Sequence, residues 1–331
     1  MTRRTLAFIL LIVAIILLIL VPVLVLTPIG ANLFNGGSEA APFTTPTFVD
    51  ISPTPTPKPT PILTVRGKPA PISASEAILM DADTGHILYD LHGEHPMPMA
   101  STTKIMTALI AIRAGNLNQV VNIQQDAYNE VHLHDGSSAS LVVGDRIPLK
   151  DLLYGLLLPS GDDAAIAIAD AVAGSTSNFV NLMNLFAYRL HLYQTHYINP
   201  DGLTYYNANG NPIPGHYTTP YDLVRLADYA MSIPLFAQMV RTQRYTLPAT
   251  STHHAYTWTT TNELLGTYAG ATGIKTGSTV EAGECLVFSA TRSGHHLIGV
   301  ILHSTDDAHR FNDAKILLNW GFGLPLLPPS P

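Results

Sequence analysis

Ser101 and Lys104 stand three residues apart in the run MASTTKIMTAL, residues 99–109. On a helix that spacing puts two side chains on one face, so the serine Oγ and the lysine Nζ can meet. A hydroxyl is a poor nucleophile until a base removes its proton. A lysine can be that base where a buried or cationic setting lowers its pKa towards neutrality. The pair alone decides nothing, because S-x-x-K arises by chance about once in a few hundred positions. A second cluster is more specific: GIKTGST, residues 273–279, holds Lys-Thr-Gly, a tripeptide expected roughly once in several thousand residues. Between the two lies PSGDDA, residues 159–164, with Ser160 and Asp162.

The elements around these residues follow from pattern. The apolar run after Ser101 predicts a helix opening there. Residues 76–94, EAILMDADTGHILYDLHGE, place two short apolar runs either side of Asp83-Thr84-Gly85, a β-hairpin signal. Leu152–Leu158 and Ala164–Ala173 are Ala/Leu-rich and helical, with PSGDD as a breaker and Asp163 as the cap of the second helix. Asn178–Leu190 and Tyr221–Ser232 are further helices, and residues 199–215, NPDGLTYYNANGNPIPG, are a long loop. Residues 284–303 form two strands about a Ser-Gly turn after the Lys-Thr-Gly, and Arg310–Trp320 is a closing helix. This order predicts an α+β fold, an antiparallel sheet packed with helices plus a separate helical lobe.

The chain has 331 residues, 47% of them apolar, enough for a substantial core. Seventeen basic against 24 acidic residues, with no long basic run, exclude nucleic acid as a partner. Cys285 stands alone, which excludes an intramolecular disulfide and a thiolate zinc cluster, and reads as a small core residue. The 14 histidines include His132, His134, His253, His254, His295 and His296 but no HExxH pattern; they read as solvated loop residues rather than metal ligands. Arg3 and Arg4 precede an uncharged run from Leu6 to Leu26, about the ~20 residues that cross a bilayer. Arginines before the run and none after it place everything downstream outside the cytoplasm. The run reads as an uncleaved signal anchor; a weak cleavage site at SEAA, residues 38–41, or a twin-arginine-like TRRTLA would not change the compartment. Thr and Pro dominate from Pro42 to Pro71 and predict a stiff extended tether. The expected organisation is therefore a cytoplasmic end at 1–4, an anchor at 5–27, a linker at 28–71, a catalytic domain at 72–323 and a tail at 324–331.

Ser-x-x-Lys, Ser-Gly-x and Lys-Thr-Gly in that order resemble the signature of penicillin-binding proteins and serine β-lactamases. With NPDGL, GIKTGSTVEAGECLVFSA and HRFNDAKILLNWGF, the chain more closely resembles the D-alanyl-D-alanine carboxypeptidases, the low-molecular-mass penicillin-binding proteins of serine peptidase family S11. That resemblance implies a β-lactamase/transpeptidase-like fold, peptidoglycan stem peptides as substrate, β-lactams as inhibitors, and no metal or cofactor. It implies Ser101 as the acylated nucleophile, Lys104 as its base and Ser160 as a proton shuttle to the leaving amine. Lys275, Thr276, Gly277, Ser278 and Thr279 would line the substrate, with Arg310 as the carboxylate-binding arginine. The backbone N–H groups of Ser101 and Ser278 would form the oxyanion hole.

One position departs from the resemblance. The family usually has Ser-Gly-Asn, and here the third residue is Asp162. An ionised aspartate accepts but cannot donate, and it would hold Lys104 protonated, so the expectation is reduced activity or an altered role. Two rival functions follow. A class A-like β-lactamase needs a glutamate to activate the deacylating water, and the sole glutamate between Ser160 and Lys275 is Glu263, twelve residues before Lys275. A catalytically impaired wall-recognition protein would fit Asp162 as decay, against the joint presence of the other site residues.

Overall fold

A computed structural model of the protein describes residues 62–327. The expected anchor and most of the expected linker lie outside the described residues. Among the described residues, no helix is long and apolar enough to cross a membrane.

Five strands make one antiparallel sheet: β1 (Glu76–Asp81), β2 (His86–Leu91), β3 (Ala271–Thr279), β4 (Gly283–Arg292) and β5 (His295–Ser304), in the spatial order β2-β1-β5-β4-β3. The predicted hairpin is β1–β2, and its turn is pinned by Asp81, whose carboxylate accepts from the amide of Asp83 and the hydroxyl of Thr84. The predicted strand pair is β4–β5, with Ser293 and Gly294 at the turn. Lys-Thr-Gly precedes that strand pair, as expected, but is itself part of a strand that the pattern did not predict. It lies inside β3, where Lys275 pairs with Val287 and Gly277 with Cys285, because the residues from Ala271 onward find backbone partners along β4.

Alternation along these strands feeds two cores. Ala77, Leu79, Leu286, Phe288, Leu297 and Ile301 point to one side, where helix α8 (Asp307–Phe322) covers them with Phe311, Ala314, Leu317 and Leu318. Ile78, Met80, Val287, Ile298 and Val300 point to the other, larger core. That core is closed by α1 (Lys104–Ala114), α3 (Leu149–Leu157), α4 (Asp162–Ala173), α5 (Thr176–Arg189), α6 (Pro220–Met231) and α7 (Pro234–Val240), while α2 (Gln125–His134) packs on α4. Cys285 is buried in this core. Helix α1 is buried on all sides from Lys104 to Ala111, as expected of a helix apolar around its circumference, and it carries Lys104 inward with it.

Three local expectations change. Gly161, not Asp163, is the cap of α4. Asp163 sits in the first turn, and its carboxylate accepts from the Ala164 amide of that turn as well as from the amides of Ala139 and Leu141 and the hydroxyl of Ser138; it serves the helix start and a neighbouring loop together. His132 and His134 lie in the last turn of α2 rather than in a loop, with His132 stacked on Tyr128. The folded part also reaches past both ends of the 72–323 estimate, because Ile62 and Leu63 pair with Leu327 and Leu326.

Gly299 on β5 faces Phe288 on β4, and a Cβ there would meet the phenyl Cζ at 2.2 Å. Phe288 is fully buried and has nowhere to retreat. Gly299→Ala should therefore destabilise the protein by roughly 1–3 kcal/mol through overpacking, read from urea unfolding. Unchanged stability would show that the ring does not fill this space.

Candidate active site

The helix that opens at Lys104 is preceded by a 3₁₀ turn, Ala100–Thr103, which carries Ser101 at the mouth of α1. Ala100 is held in left-handed backbone at φ 47°, and its carbonyl oxygen is braced from the loop opposite. A Cβ on Gly202 would stand 1.9 Å from that oxygen, and Gly202 itself has φ +95°, so only glycine fits. Thr103 Oγ1 donates to the Ala100 carbonyl and contacts His216 Nε2 at 2.7 Å. Burial pushes the His216 imidazole down to about 3, so it is a neutral brace for the turn.

Lys104 Nζ has no exposure to solvent and makes three hydrogen bonds: to Ser101 Oγ at 2.8 Å, to Asp162 Oδ1 at 2.5 Å and to the Asp201 carbonyl at 2.8 Å. These partners come from the 3₁₀ turn, the start of α4 and the loop after Pro200. An ammonium there has all its donors engaged; a neutral amine in the same place would turn a lone pair towards one of them. Burial pushes the Asp162 carboxyl up to about 7, against the pull of Lys104. Asp201 is likewise pushed up to about 7 by burial, with Lys104 again opposing and the nearby carboxyl of Glu130 adding to the rise. Glu130, on α2, accepts from the Tyr205 hydroxyl at 2.9 Å. The departure at Asp162 is thus not simply an ionised acceptor. It is a buried carboxyl raised to about 7 that lies 2.5 Å from the lysine amine.

Ser160 also sits in left-handed backbone, φ 67°, and its Oγ is buried without a hydrogen-bond partner. It makes no bond to Lys104.

On the other wall, β3 runs against the 3₁₀ turn. The two approach closely at Gly277, where a Cβ would stand 3.0 Å from the Ser101 amide nitrogen. Lys275 is buried; its Nζ donates to the Thr276 carbonyl at 3.0 Å, and burial and then the charge of Lys104 push its pKa well below the usual lysine range. The Thr276 hydroxyl is paired with that of Thr261 at 2.6 Å, and Thr279 Oγ1 accepts from the Ala282 amide. Ser278 Oγ donates to Glu284. Arg310, on α8, donates to the Gly277 carbonyl at 2.9 Å and is flanked by Glu284 and Asp307.

The structure therefore brings Ser101, Lys104, Asp162 and the Lys275–Thr279 strand together, with Arg310 behind the strand. Sequence reasoning missed Asp201, Glu130, His216, Thr261 and Glu284. NPDGL read as part of a long loop and of the family resemblance, and no local spacing reports that Asp201 lies against a lysine 97 residues earlier.

Residues 64–306 match the family model for D-alanyl-D-alanine carboxypeptidase, peptidase family S11. The D-alanyl-D-alanine carboxypeptidase of Streptomyces sp. strain K15 is 40% identical over 265 residues, which cover 76% of this chain and 88% of that protein. D-alanyl-D-alanine carboxypeptidase DacC of Escherichia coli K12 is 33% identical over 260 residues, 76% of this chain but 62% of that longer protein. The crystal structure of the Streptomyces K15 DD-transpeptidase matches with a TM-score of 0.72 at 38% identity, covering 78% of this chain and 100% of that one. The fold is that of this group, as the signature implied. The chain belongs to the D-alanyl-D-alanine carboxypeptidase family of serine peptidases.

Proposed function

From that membership we propose that the protein removes the terminal D-alanine from peptidoglycan stem peptides through an acyl-serine intermediate on Ser101. The observation that carries the reading is Lys104 Nζ, shut off from water, 2.8 Å from Ser101 Oγ. Ser101 Oγ attacks the carbonyl of the penultimate residue as its proton passes to Lys104. The oxyanion is received by the amides of Ser101 and Ser278, a contribution of roughly 10²–10³ in rate per donor in acyl transfer. Ser160 returns a proton to the departing amine, and water then hydrolyses the ester. Lys275 and Thr276 order the strand along which the substrate lies. Upstream, the run Leu6–Leu26 anchors the protein in the membrane and the Thr/Pro-rich stretch holds the catalytic domain away from it on the extracytoplasmic side.

In this reading Asp162 is a relay partner of the base. As Lys104 takes the proton of Ser101 Oγ, the carboxylate 2.5 Å away can accept one from the amine. As pH falls through about 7, the raised carboxyl takes up a proton and can no longer accept one from Lys104.

Three outcomes follow. Intact-mass spectrometry after benzylpenicillin should show a single adduct, absent in Ser101→Ala; an adduct surviving that substitution rules Ser101 out, and no adduct on the unaltered protein favours a silent recognition protein. The second-order acylation rate should rise with pH through about 7. An amide neither titrates nor accepts a proton, so in Asp162→Asn the limb near pH 7 should disappear and the rate at pH 7 fall about ten- to a hundredfold, the loss of one charge-assisted interaction; an equal or faster rate would mean that Asp162 merely holds Lys104 protonated. Protease added to intact spheroplasts should release a soluble, penicillin-labelled fragment by cutting between Pro42 and Pro71, whereas full protection would contradict the topology.

A further inference from the structure

The corner expected to receive a substrate carboxylate already holds one of the protein's own. Arg310 is 7% exposed. Its Nη1 donates to Glu284 Oε2 at 2.5 Å as well as to the Gly277 carbonyl, and its Nη2 donates to Asp307 Oδ1. The other oxygen of Glu284, Oε1, accepts from Ser278 Oγ at 2.7 Å. One carboxylate thus bridges the guanidinium and a hydroxyl of β3, a pair of donors suited to gripping the carboxylate of a ligand. Strand register fixes the arrangement, because Glu284 on β4 lies directly opposite Ser278 on β3.

Charge points the same way. One guanidinium faces two carboxylates, Glu284 and Asp307, so a third arriving from a substrate meets a corner whose positive charge is already neutralised. It gains Arg310 only by displacing Glu284, and the exchange of one charge-assisted contact for an equivalent one yields little net affinity. The Glu284 side chain keeps 21% exposure, so the displacement has a path outward. Of the guanidinium donors, Nε is buried without a partner.

We propose that Glu284 is a specificity-determining residue that occupies the carboxylate position between Arg310 and Ser278, so that the enzyme gains little from a free C-terminal carboxylate on its substrate. The inference rests on the acyl-transfer reading above and deepens it. Acyl donors with an amide or a further residue after the scissile bond are then accepted nearly as well as those ending there, and bonds inside longer or cross-linked peptides come within reach. Glu284 acts through Arg310 and Ser278 and not on the reacting atoms.

The experiment compares kcat/KM for a peptide ending in D-Ala-D-Ala with that for its C-terminal amide. In the unaltered protein the ratio should lie within about threefold of unity, and in Glu284→Gln it should rise by about tenfold or more as the internal charge is removed. Glu284→Asp, which keeps the charge but draws it back from Arg310, should give an intermediate ratio. A ratio above about a hundredfold in the unaltered protein overturns the proposal without recourse to any variant. So does a ratio that Glu284→Gln leaves unchanged while both rates fall together, the mark of a structural brace. If penicillin labels Ser101 but neither peptide is hydrolysed, the carboxypeptidase reading fails. The present inference is then decided by the same ratio taken from acylation by benzylpenicillin and by its methyl ester.

Discussion

A lysine amine with no access to water is the constraint around which the site is arranged. Taking such a group out of solvent costs several kcal/mol unless partners replace its hydration. Here three unrelated parts of the chain supply them: the 3₁₀ turn gives the Ser101 hydroxyl, the start of α4 gives the Asp162 carboxyl, and the loop after Pro200 gives the Asp201 carbonyl. Each of those parts is itself braced. Gly202 packs its backbone on Ala100, His216 holds Thr103, and Asp163 ties the loop at 138–141 to the first turn of α4. The left-handed backbone at Ala100 and Ser160 persists because the surroundings over-determine it.

The two ends of the cleft treat charge differently. Around Lys104, carboxyls outnumber cations, and burial resolves the excess by raising Asp162, Asp201 and Glu130 so that protons are retained among them. Around Arg310, Glu284 and Asp307 keep some exposure and the balance is met by direct ion pairing instead. Lys275 lies between, buried beside a second cation and pushed towards its neutral form.

Much of this was legible in the sequence wherever a local rule applied. The hairpin read at 76–94, the strand pair read at 284–303, the helices and the Ser101–Lys104 face follow from periodicity and turn chemistry, and the signature motifs pointed to residues that the structure brings together. What escaped was set by long-range register. Lys-Thr-Gly lies ahead of the predicted strand pair and shows no strand pattern of its own, yet pairing with β4 makes it a strand. Asp163 reads as a helix cap from its neighbours alone, but the loop at 138–141 competes for its oxygens. Asp201 and Glu284 carry no signal of their partners, since a carboxylate in a turn or strand is ordinarily solvated. The polarity of Asp162 was visible, whereas its burial, which changes the consequence, was not.

The short ladder that joins Ile62 and Leu63 to Leu327 and Leu326 has a mechanical meaning. Both flanking segments leave from the same end of an antiparallel pair, so tension applied through them does not shear the five-stranded sheet. It peels the ladder open one rung at a time, beginning at Ile62 and Leu327, and the first core residue to be drawn out is Leu63, which packs under α8 with the smaller core. The larger core, with Lys104 and its partners, lies on the opposite face of the sheet and stays unloaded until that clasp has gone.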